Sequence, residues 1–415
     1  MANYPDLQTP STRLSEITAL HGTPEVAKRM GTSRRTIERW VSGETRIPTH
    51  AVLAFDSAFG GLIPPGEPDR EADITFIDLF AGIGGIRLGL ESAGARCTFT
   101  SEWDKFAVRT YEANHDSAHR IVGDIREVDP ADVPDHSVLA AGFPCQPFSL
   151  AGVSKKNSLG RKHGFLDPTQ GTLFFNVAAI LAEKRPRAFL LENVKNLLNH
   201  DGGNTFRVIR NVLEKDLGYT LHYRVVDANG FVPQHRERII LVGFRDGGDF
   251  DWDRIRPIAP AGSVTMDDVL HAENGPEPSA APYVNPETGQ VADKYVLSDR
   301  LWAYLQAYAA KHRAAGNGFG YGTVGRESTS RTLSARYHKD GSEILVRRGH
   351  GENPRRLTPR ECARLMGFDD SFVIPVSDTQ AYRQFGNSVA VPVMRAVAAQ
   401  ITTVLKSSAA ERLAS

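Results

Sequence analysis

At 415 residues the chain is too long for one core at roughly 100 to 200 residues per domain, so two or three domains are expected. Hydrophobic residues at 41% and charged residues at 24% place it among folding globular chains and exclude collagen, coiled coil and general disorder. Lys plus Arg and Asp plus Glu stand at 49 each, so a nucleic-acid role has to rest on local basic patches.

In chain order, Pro24 to Gly43 reads as two short helices, the first opened by Pro24, a turn at Gly31, and the second capped by Thr32 or Ser33. This is helix-turn-helix spacing. Arg34, Arg35 and Arg39 open and line the second helix, while Ala27, Ile37 and Trp40 can face inward, which points to DNA binding over a solvated hairpin. Gly60 to Arg70, dense in Gly and Pro, reads as a linker. Short apolar runs separated by helical stretches then argue for a parallel sheet with crossover helices. The runs are Ile74 to Leu79, Ala95 to Thr100, His119 to Val122, Ser137 to Ala141 and Ala188 to Leu191. They end at Asp78, Glu102, Asp124, Pro144-Cys145 and Glu192-Asn193, and ligands of open α/β sheets bind off the carboxyl ends of strands. Thr220 to Val226 and Arg238 to Gly243 read as two further strands in a hairpin-like extension. From about Asp251 to Arg356 the pattern loosens into what reads as a separate, loop-rich domain, with one helix at Ser298 to Arg313. Residues 331 to 364 hold nine Lys/Arg against four acids, a basic region second to none outside the N-terminus. Helical periodicity returns past Leu357, and Val389 to Leu405 reads as an apolar helix. No apolar run approaches the roughly 18 residues of a membrane helix, and the start lacks a basic-then-apolar leader, so neither export nor membrane embedding is expected. Three cysteines are too few for a disulfide framework or a Cys-x-x-Cys metal site; Cys97 and Cys362 read as core residues in a reducing compartment.

The turn Asp78 to Gly85 (DLFAGIGG) follows a strand, and its glycines let backbone amides approach a ligand. Arg87 stands where the third glycine of a dinucleotide fingerprint would be. Asp78 before the turn would repel a pyrophosphate, so the reading is a nucleoside cofactor with a cationic centre such as a sulfonium. Glu102, 20 residues after Gly82, has the spacing of an acid that accepts ribose hydroxyls. Trp103 is suited to cover an adenine face and Asp124 to accept from the adenine amino group. Cys145 sits between Pro144 and Pro147, which hold the loop stiff and aim the thiol as a nucleophile requires. Residues 150 to 170, with Lys155 and Lys156 among Gly and Ser, read as a mobile basic loop closing on DNA.

The motifs FIDLFAGIGGIRLGL, EWD (102 to 104), GD (123 to 124), GFPCQPFS (142 to 149), ENV (192 to 194), QHRERI (234 to 239), RRLTPRECARLMGF (355 to 368) and QFGNSVAVPV (384 to 393) resemble, in order, those of DNA cytosine-5 methyltransferases. The resemblance covers roughly residues 73 to 405. It implies an α/β fold: a Rossmann-like S-adenosylmethionine-dependent methyltransferase sheet with a loop-rich target-recognition domain, beside the all-α helix-turn-helix domain. The boundaries are 1–66 for the helix-turn-helix, 72–250 for the catalytic domain, 251–356 for target recognition and 357–410 for the returning catalytic part. It implies Cys145 as the thiolate that adds to cytosine C6, Glu192 as the carboxyl group at N3, and Arg236 and Arg238 as residues that hold the base carbonyl and order the catalytic loop. For the cofactor it implies Asp78, Phe80, Gly82, Gly84, Glu102 and Trp103, then Asp124, Ile125, Pro144 and Leu173, with Asn387 and Ser388 returning from the far end of the chain. On the DNA side it adds Gln146 and Ser149, and base-edge readout is expected from 251–356 with Arg331 and Arg336 as candidates.

Residues 293 to 322 and 331 to 348 look like the recognition region of the Dcm and SsoII type, implying a CC(N or W)GG duplex site modified at its inner cytosine. The implied partners are double-stranded DNA, an operator bound by the N-terminal domain, and functionally a cognate restriction endonuclease, in a cytoplasmic, nucleoid-associated bacterial enzyme. Two alternatives stay open on these motifs: a tRNA cytosine-5 methyltransferase on the same scaffold, and a non-catalytic DNA-binding regulator.

Overall fold

The computed structural model describes residues 14, 18, 22–29, 32–42, 74–116, 119–144, 173–257, 263–272, 282–285, 288–318 and 320–414, with side chains as far as 407. Cys145, Gln146, Ser149, Lys155, Lys156, the loop 150–170 and the linker 60–70 lie outside the described residues. The chain divides into two compact units, Met1–Ala72 and Asp73–Ser415.

In the first unit, α1 (Thr23–Arg29) packs on α2 (Arg34–Val41). Ser33 caps α2, its hydroxyl accepting from the Thr36 amide at 3.1 Å and satisfying one of the helix's orphan donors. Val26, Ala27, Ile37 and Trp40 are buried between the helices, which leaves Arg34, Arg35 and Arg39 exposed.

The second unit is built on a seven-stranded mixed sheet. Its strands are β1 (Thr75–Leu79), β2 (Arg96–Ser101), β3 (Ile121–Val122), β4 (Val138–Gly142), β5 (Ala188–Val194), β6 (Thr220–Asp227) and β7 (Glu237–Phe244), in the order β3-β2-β1-β4-β5-β7-β6. The first five are mutually parallel, and β7 runs antiparallel to both its neighbours, which makes β6 and β7 the expected hairpin-like extension. Successive strand residues point to opposite faces, and here both faces are covered. Phe76, Ala140, Leu190, Ile240 and Val242 meet Val397, Ala398 and Ile401 of the C-terminal helix α10 (Val391–Ala414). Ile77, Leu139, Ala141, Leu191 and Leu241 meet Phe174, Val177 and Leu181 of α5 (Leu173–Lys184).

Between β1 and β2 lies α3 (Gly85–Ser92), which packs on α10 through Gly89. A Cβ at Gly89 would stand 2.7 Å from the Met394 Cβ and 2.8 Å from its carbonyl carbon, so only glycine permits this approach. The segment Asp378–Ser407, which contains α9 (Asp378–Asn387) and most of α10, is long and apolar enough in composition to cross a membrane, contrary to the expectation that no such run exists. Its apolar window is 67% buried inside the protein, as a core helix is.

The recognition segment does not form a unit of its own. It contributes α7 (Asp299–Ala314), a small sheet of β8 (Thr323–Val324), β9 (Leu345–Val346) and β10 (Arg355–Arg356), and a core shared with the chain's return. Met266, Tyr295, Leu333, Tyr337, Ile344 and Leu357 are buried together with Cys362 of α8 (Pro359–Leu365) and with Tyr382 and Phe385 of α9, because short strands and loops have too little apolar surface to close a core alone. Chain order reverses across the sheet at β1, whose neighbours are β2 and β4, and the crevice opens there. α6 (Asn204–Asn211) and α4 (Lys105–Asn114) complete the layers.

Candidate active site

Off the carboxyl ends of β1, β2, β4 and β5 lies a cavity of about 710 Å³. The turn from β1 into α3 forms its floor, with Phe80, Gly82 and Gly84 all at positive φ (54°, 56° and 84°). This conformation closes the turn on itself, the Gly84 amide donating to the Ala81 carbonyl at 2.8 Å. The Gly82 amide donates to Glu102 Oε2 and the Asp104 amide to Oε1, both at 2.8 Å, so one carboxylate ties the turn to the end of β2. Burial raises the Glu102 pKa. Trp103, 77% exposed, stands at the rim, and Asp124 caps the short turn Ile125–Glu127. The Arg126 guanidinium donates to Asp124 Oδ1 and Oδ2 at 2.9 and 3.0 Å and holds its carboxyl below the usual range. Phe80, Gly82, Glu102, Trp103, Asp124, Ile125, Pro144, Leu173, Asn387 and Ser388 all line the cavity.

Asp78 and Gly84 are placed otherwise. Gly84 faces His115, whose Nε2 would be 2.0 Å from an added Cβ; its role is to let that ring under the turn, where Nε2 lies 3.2 Å from the Ile83 carbonyl. Burial and Arg87 push the His115 pKa down to about 4, so this imidazole is neutral. Asp78 is buried beneath the turn, where the Tyr111 hydroxyl donates to its Oδ2 at 3.3 Å. That phenol accepts from Arg87 at 3.2 Å and meets the Thr100 hydroxyl at 3.0 Å, which in turn meets His119 at 2.9 Å. Burial, against the pull of Arg87 and Tyr111, pushes the Asp78 pKa up to about 7. The carboxyl to which repulsion of a ligand was assigned therefore lies beneath the loop rather than in the cavity wall, and burial holds much of it protonated near neutral pH.

At the other end of the crevice, β5 runs three residues past the expected stop and carries Glu192 and Asn193 into the cavity wall. The Arg238 Nε lies 3.0 Å from Glu192 Oε1 across the β5–β7 pair, because Val194 and Arg238 are register partners. Burial raises the Glu192 pKa, while Arg238 and then Arg236 oppose the rise. The Asn193 amide donates to the Phe143 carbonyl at 2.8 Å and its Oδ1 accepts from the Val194 amide at 2.8 Å, fixing the chain just before Pro144 and Cys145. Arg236 departs from the expected contact with a base. It is buried at 1% exposure, does not line the cavity, and donates to the backbone carbonyls of Leu333 at 2.7 Å and Gly386 at 3.0 Å, and also to that of Ser388. It acts as a buried strut between the recognition segment and the end of α9.

Sequence reasoning missed Asn193 as a clamp and missed Gln380, Arg383 and Gln384, which bring one face of α9 to the cavity. The i, i+3, i+4 spacing of these polar residues ahead of Asn387 was the available signal. Arg331 and Arg336 are exposed on the recognition segment. Among the described residues no group of three or more His, Cys, Asp or Glu is placed to hold a metal, and Cys97 and Cys362 are buried free thiols, Cys97 pushed up to about 11 by burial.

A parallel sheet with one antiparallel strand next to its edge, and a nucleoside-sized crevice at its switch point, defines an α/β methyltransferase. The chain belongs to the C-5 cytosine-specific DNA methylase family, whose model matches residues 74–403. It is 50% identical over 403 residues to the DNA-cytosine methyltransferase of Escherichia coli K12, covering 84% of this chain and 81% of that one. It is 47% identical over 390 residues to the type II methyltransferase M.SsoII of Shigella sonnei, covering 92% and 94%. Among solved structures, the Dnmt2 methyltransferase of S. pombe shares the fold, with a TM-score of 0.58 at 20% identity over 81% of this chain and 99% of that one. Methylases of this family use S-adenosylmethionine, which supplies the methyl group. The residues present fit it: a cavity of ligand size, a glycine turn at its floor, Glu102 at the end of β2, and a buried Gln384 nitrogen in the wall that meets no acceptor among the described residues.

Proposed function

We propose that the enzyme methylates C5 of the inner cytosine in a CC(N or W)GG duplex site as the modification half of a type II restriction-modification system. We also propose that residues 1–66 form a helix-turn-helix that binds an operator and represses transcription. The observation that carries the chemistry is the Glu192–Arg238 pair, facing the cavity that Pro144, the residue before Cys145 in sequence, also lines. Cytosine C5 is a poor nucleophile, so the Cys145 thiolate adds to C6, forming an S–C6 bond and turning the ring into an enamine. Glu192, whose burial favours the protonated form, shares its proton with N3 as charge moves onto the ring. Arg238 holds the Glu192 carboxyl in line, and Arg236 braces the strand from behind. S-adenosylmethionine, when bound, would supply the methyl group to C5 and be left as the neutral thioether; a base then removes the C5 proton as the S–C6 bond breaks to release the Cys145 thiolate.

The thiol and the methyl donor approach opposite ring faces, so the base must leave the duplex, at a cost of roughly a few kcal/mol. Lys155 and Lys156 on the loop after Cys145, with Gln146 and Ser149, offset that cost through phosphate and backbone contacts. Arg331 and Arg336, exposed on the recognition segment, face DNA for base-edge readout. The M.SsoII relative's name as a type II methyltransferase supports the modification role, and exposed Arg34, Arg35 and Arg39 on α2 support the operator reading.

Bisulfite sequencing of plasmid from a host producing the full chain reads the modified base and its context together. The expected result is protection confined to the inner cytosine of CC(N or W)GG. Cys145→Ala should lower the methylation rate by at least roughly a thousandfold. Protection in another context would overturn the site, near wild-type turnover by the variant would overturn the mechanism, and methyl transfer to tRNA instead of duplex DNA would overturn the substrate.

A further inference from the structure

We infer that Arg383 grips a backbone phosphate of the target strand beside the flipped cytosine, where the strand passes from the recognition segment to the cavity. The inference rests on the base-flipping reading of the site and adds a DNA contact on the returning part of the chain. Among the described residues three arginines line the cavity, Arg126, Arg238 and Arg383. Two of them are already matched to acids. Arg126 donates to the Asp124 carboxylate at 2.9 and 3.0 Å, and Arg238 Nε lies 3.0 Å from Glu192 Oε1. Arg383 is exposed and meets no carboxylate among the described residues; its side chain makes one long hydrogen bond there, 3.5 Å to His338 Nε2. His338 Nδ1 lies 2.8 Å from the Ala335 carbonyl and so carries the ring proton, which leaves Nε2 as the acceptor for Arg383. Most of the guanidinium's donors remain for an anion.

Position selects that anion. α9 lies between the cavity and the recognition segment. On one side Gln380, Arg383 and Gln384 line the cavity. On the other, the Tyr382 ring meets Tyr337 edge-on at 5.2 Å, and a Cβ on Gly386 would stand 2.3 Å from the Ser334 carbonyl carbon, so the turn Ala335–His338 rests directly on the helix. Arg336 in that turn and Arg331 just before it are the exposed residues proposed to read base edges. A strand whose bases are read there, and whose cytosine enters the cavity, carries its sugar–phosphate backbone across α9. Arg383 touches both sides of that crossing. Its forked, permanently charged guanidinium matches a phosphate, and it has no acid to give up first, as Arg126 and Arg238 would.

The test measures binding of the full-length wild type, Arg383→Gln and Arg383→Lys to a CC(N or W)GG duplex by fluorescence anisotropy over a range of salt. Methyl transfer to the duplex and calorimetric titration of S-adenosylmethionine are run alongside. Arg383→Gln should weaken duplex binding roughly tenfold and flatten the dependence of log Kd on log salt by about 0.9, the value of one phosphate. Arg383→Lys, which keeps the charge, should retain the wild-type slope. S-adenosylmethionine binding should change by less than about twofold, which also shows that the cavity is intact in both variants. A neutral methylphosphonate at one of the two linkages flanking the target cytosine should weaken the wild type and leave Arg383→Gln unchanged, because the two changes remove the same contact. An unaltered salt slope in Arg383→Gln, full additivity with both methylphosphonates, or S-adenosylmethionine binding that falls together with DNA binding overturns the inference and leaves the methyltransferase reading in place. A wild-type chain that methylates tRNA and no duplex overturns both.

Discussion

Asp78 is a carboxyl group held among a phenol, a guanidinium and a thiol, away from water, and its pKa of about 7 against an ordinary 3.8 has a consequence for stability. Arg87 and Tyr111 favour its ionised form, Glu102 and Glu91 oppose it, and burial outweighs them all. The folded state therefore keeps a proton that the unfolded chain gives up. Its contribution to stability is fully present below about pH 4 and is lost as pH rises through 7. Asp78→Asn keeps an oxygen for Tyr111 and removes the titration. The variant should gain on the wild type between pH 4.5 and 7.5 by an amount on the order of a few kcal/mol. Urea unfolding of both proteins at those two pH values measures it, and an equal difference at both would show that Asp78 ionises freely. The sequence marked Asp78 as special by its place before a glycine turn, but whether a strand-end carboxyl faces a ligand or the layer beneath depends on Tyr111 and Arg87, which arrive from two different helices. Gln384 was hidden for the same reason, since its place in the cavity wall depends on α9 packing beside Thr110, 274 positions away.

The strands were more legible than the side chains around them. Each parallel strand is a short apolar run because both faces of the sheet are covered, and each ends where polar residues must meet the crevice. β5 ran past its expected end because Glu192 and Asn193, polar as they are, still pair with Ile240 and Ile239 of β7. The recognition segment was less legible, since its core is completed by α8 and α9. Glu361 is the joint between them. Its carboxylate, 0% exposed, takes two bonds from Arg355 of β10 at 2.8 Å and accepts the amides of His271 at 2.9 Å and Thr358 at 2.8 Å. Burial alone would raise the Glu361 pKa, but Arg355 and the amide bonds bring it below the usual value. Glu361→Ala leaves Arg355 buried without its partner and frees the His271 amide, a loss of about 3–5 kcal/mol. Chemical denaturation of the full chain should show this as a lower midpoint, and Glu361→Gln, which keeps acceptors but not charge, should fall between. A variant within about 0.5 kcal/mol of wild type would mean that the apolar contacts of Leu333, Tyr337 and Phe385 hold the segment without it.

At the scale of the whole molecule, Met1–Ala72 and Asp73–Ser415 are separate compact units, and the family match begins only at residue 74. The sheet, the cavity and the Glu192–Arg238 pair all fall within the second unit. The two basic features of the sequence are divided likewise. Arg34, Arg35 and Arg39 project from a helix whose Ile37 and Trp40 are used up in packing on α1, whereas Arg331 and Arg336 belong to the segment tied to the catalytic sheet. Under the proposed function these two surfaces on a chain of zero net charge would serve two DNA contacts of different purpose, one to an operator and one to the methylation site. Removal of residues 1–66 should therefore abolish retention of the operator fragment in a gel-shift assay at moderate salt while leaving methyl transfer to a CC(N or W)GG duplex within about threefold of the full chain. Arg35→Ala with Arg39→Ala should reproduce the first effect, since each lost phosphate contact weakens binding and flattens its salt dependence by about one unit of slope. Loss of methyl transfer in the truncated chain, with operator binding unaffected by the double substitution, would instead assign the first unit to supporting the catalytic fold.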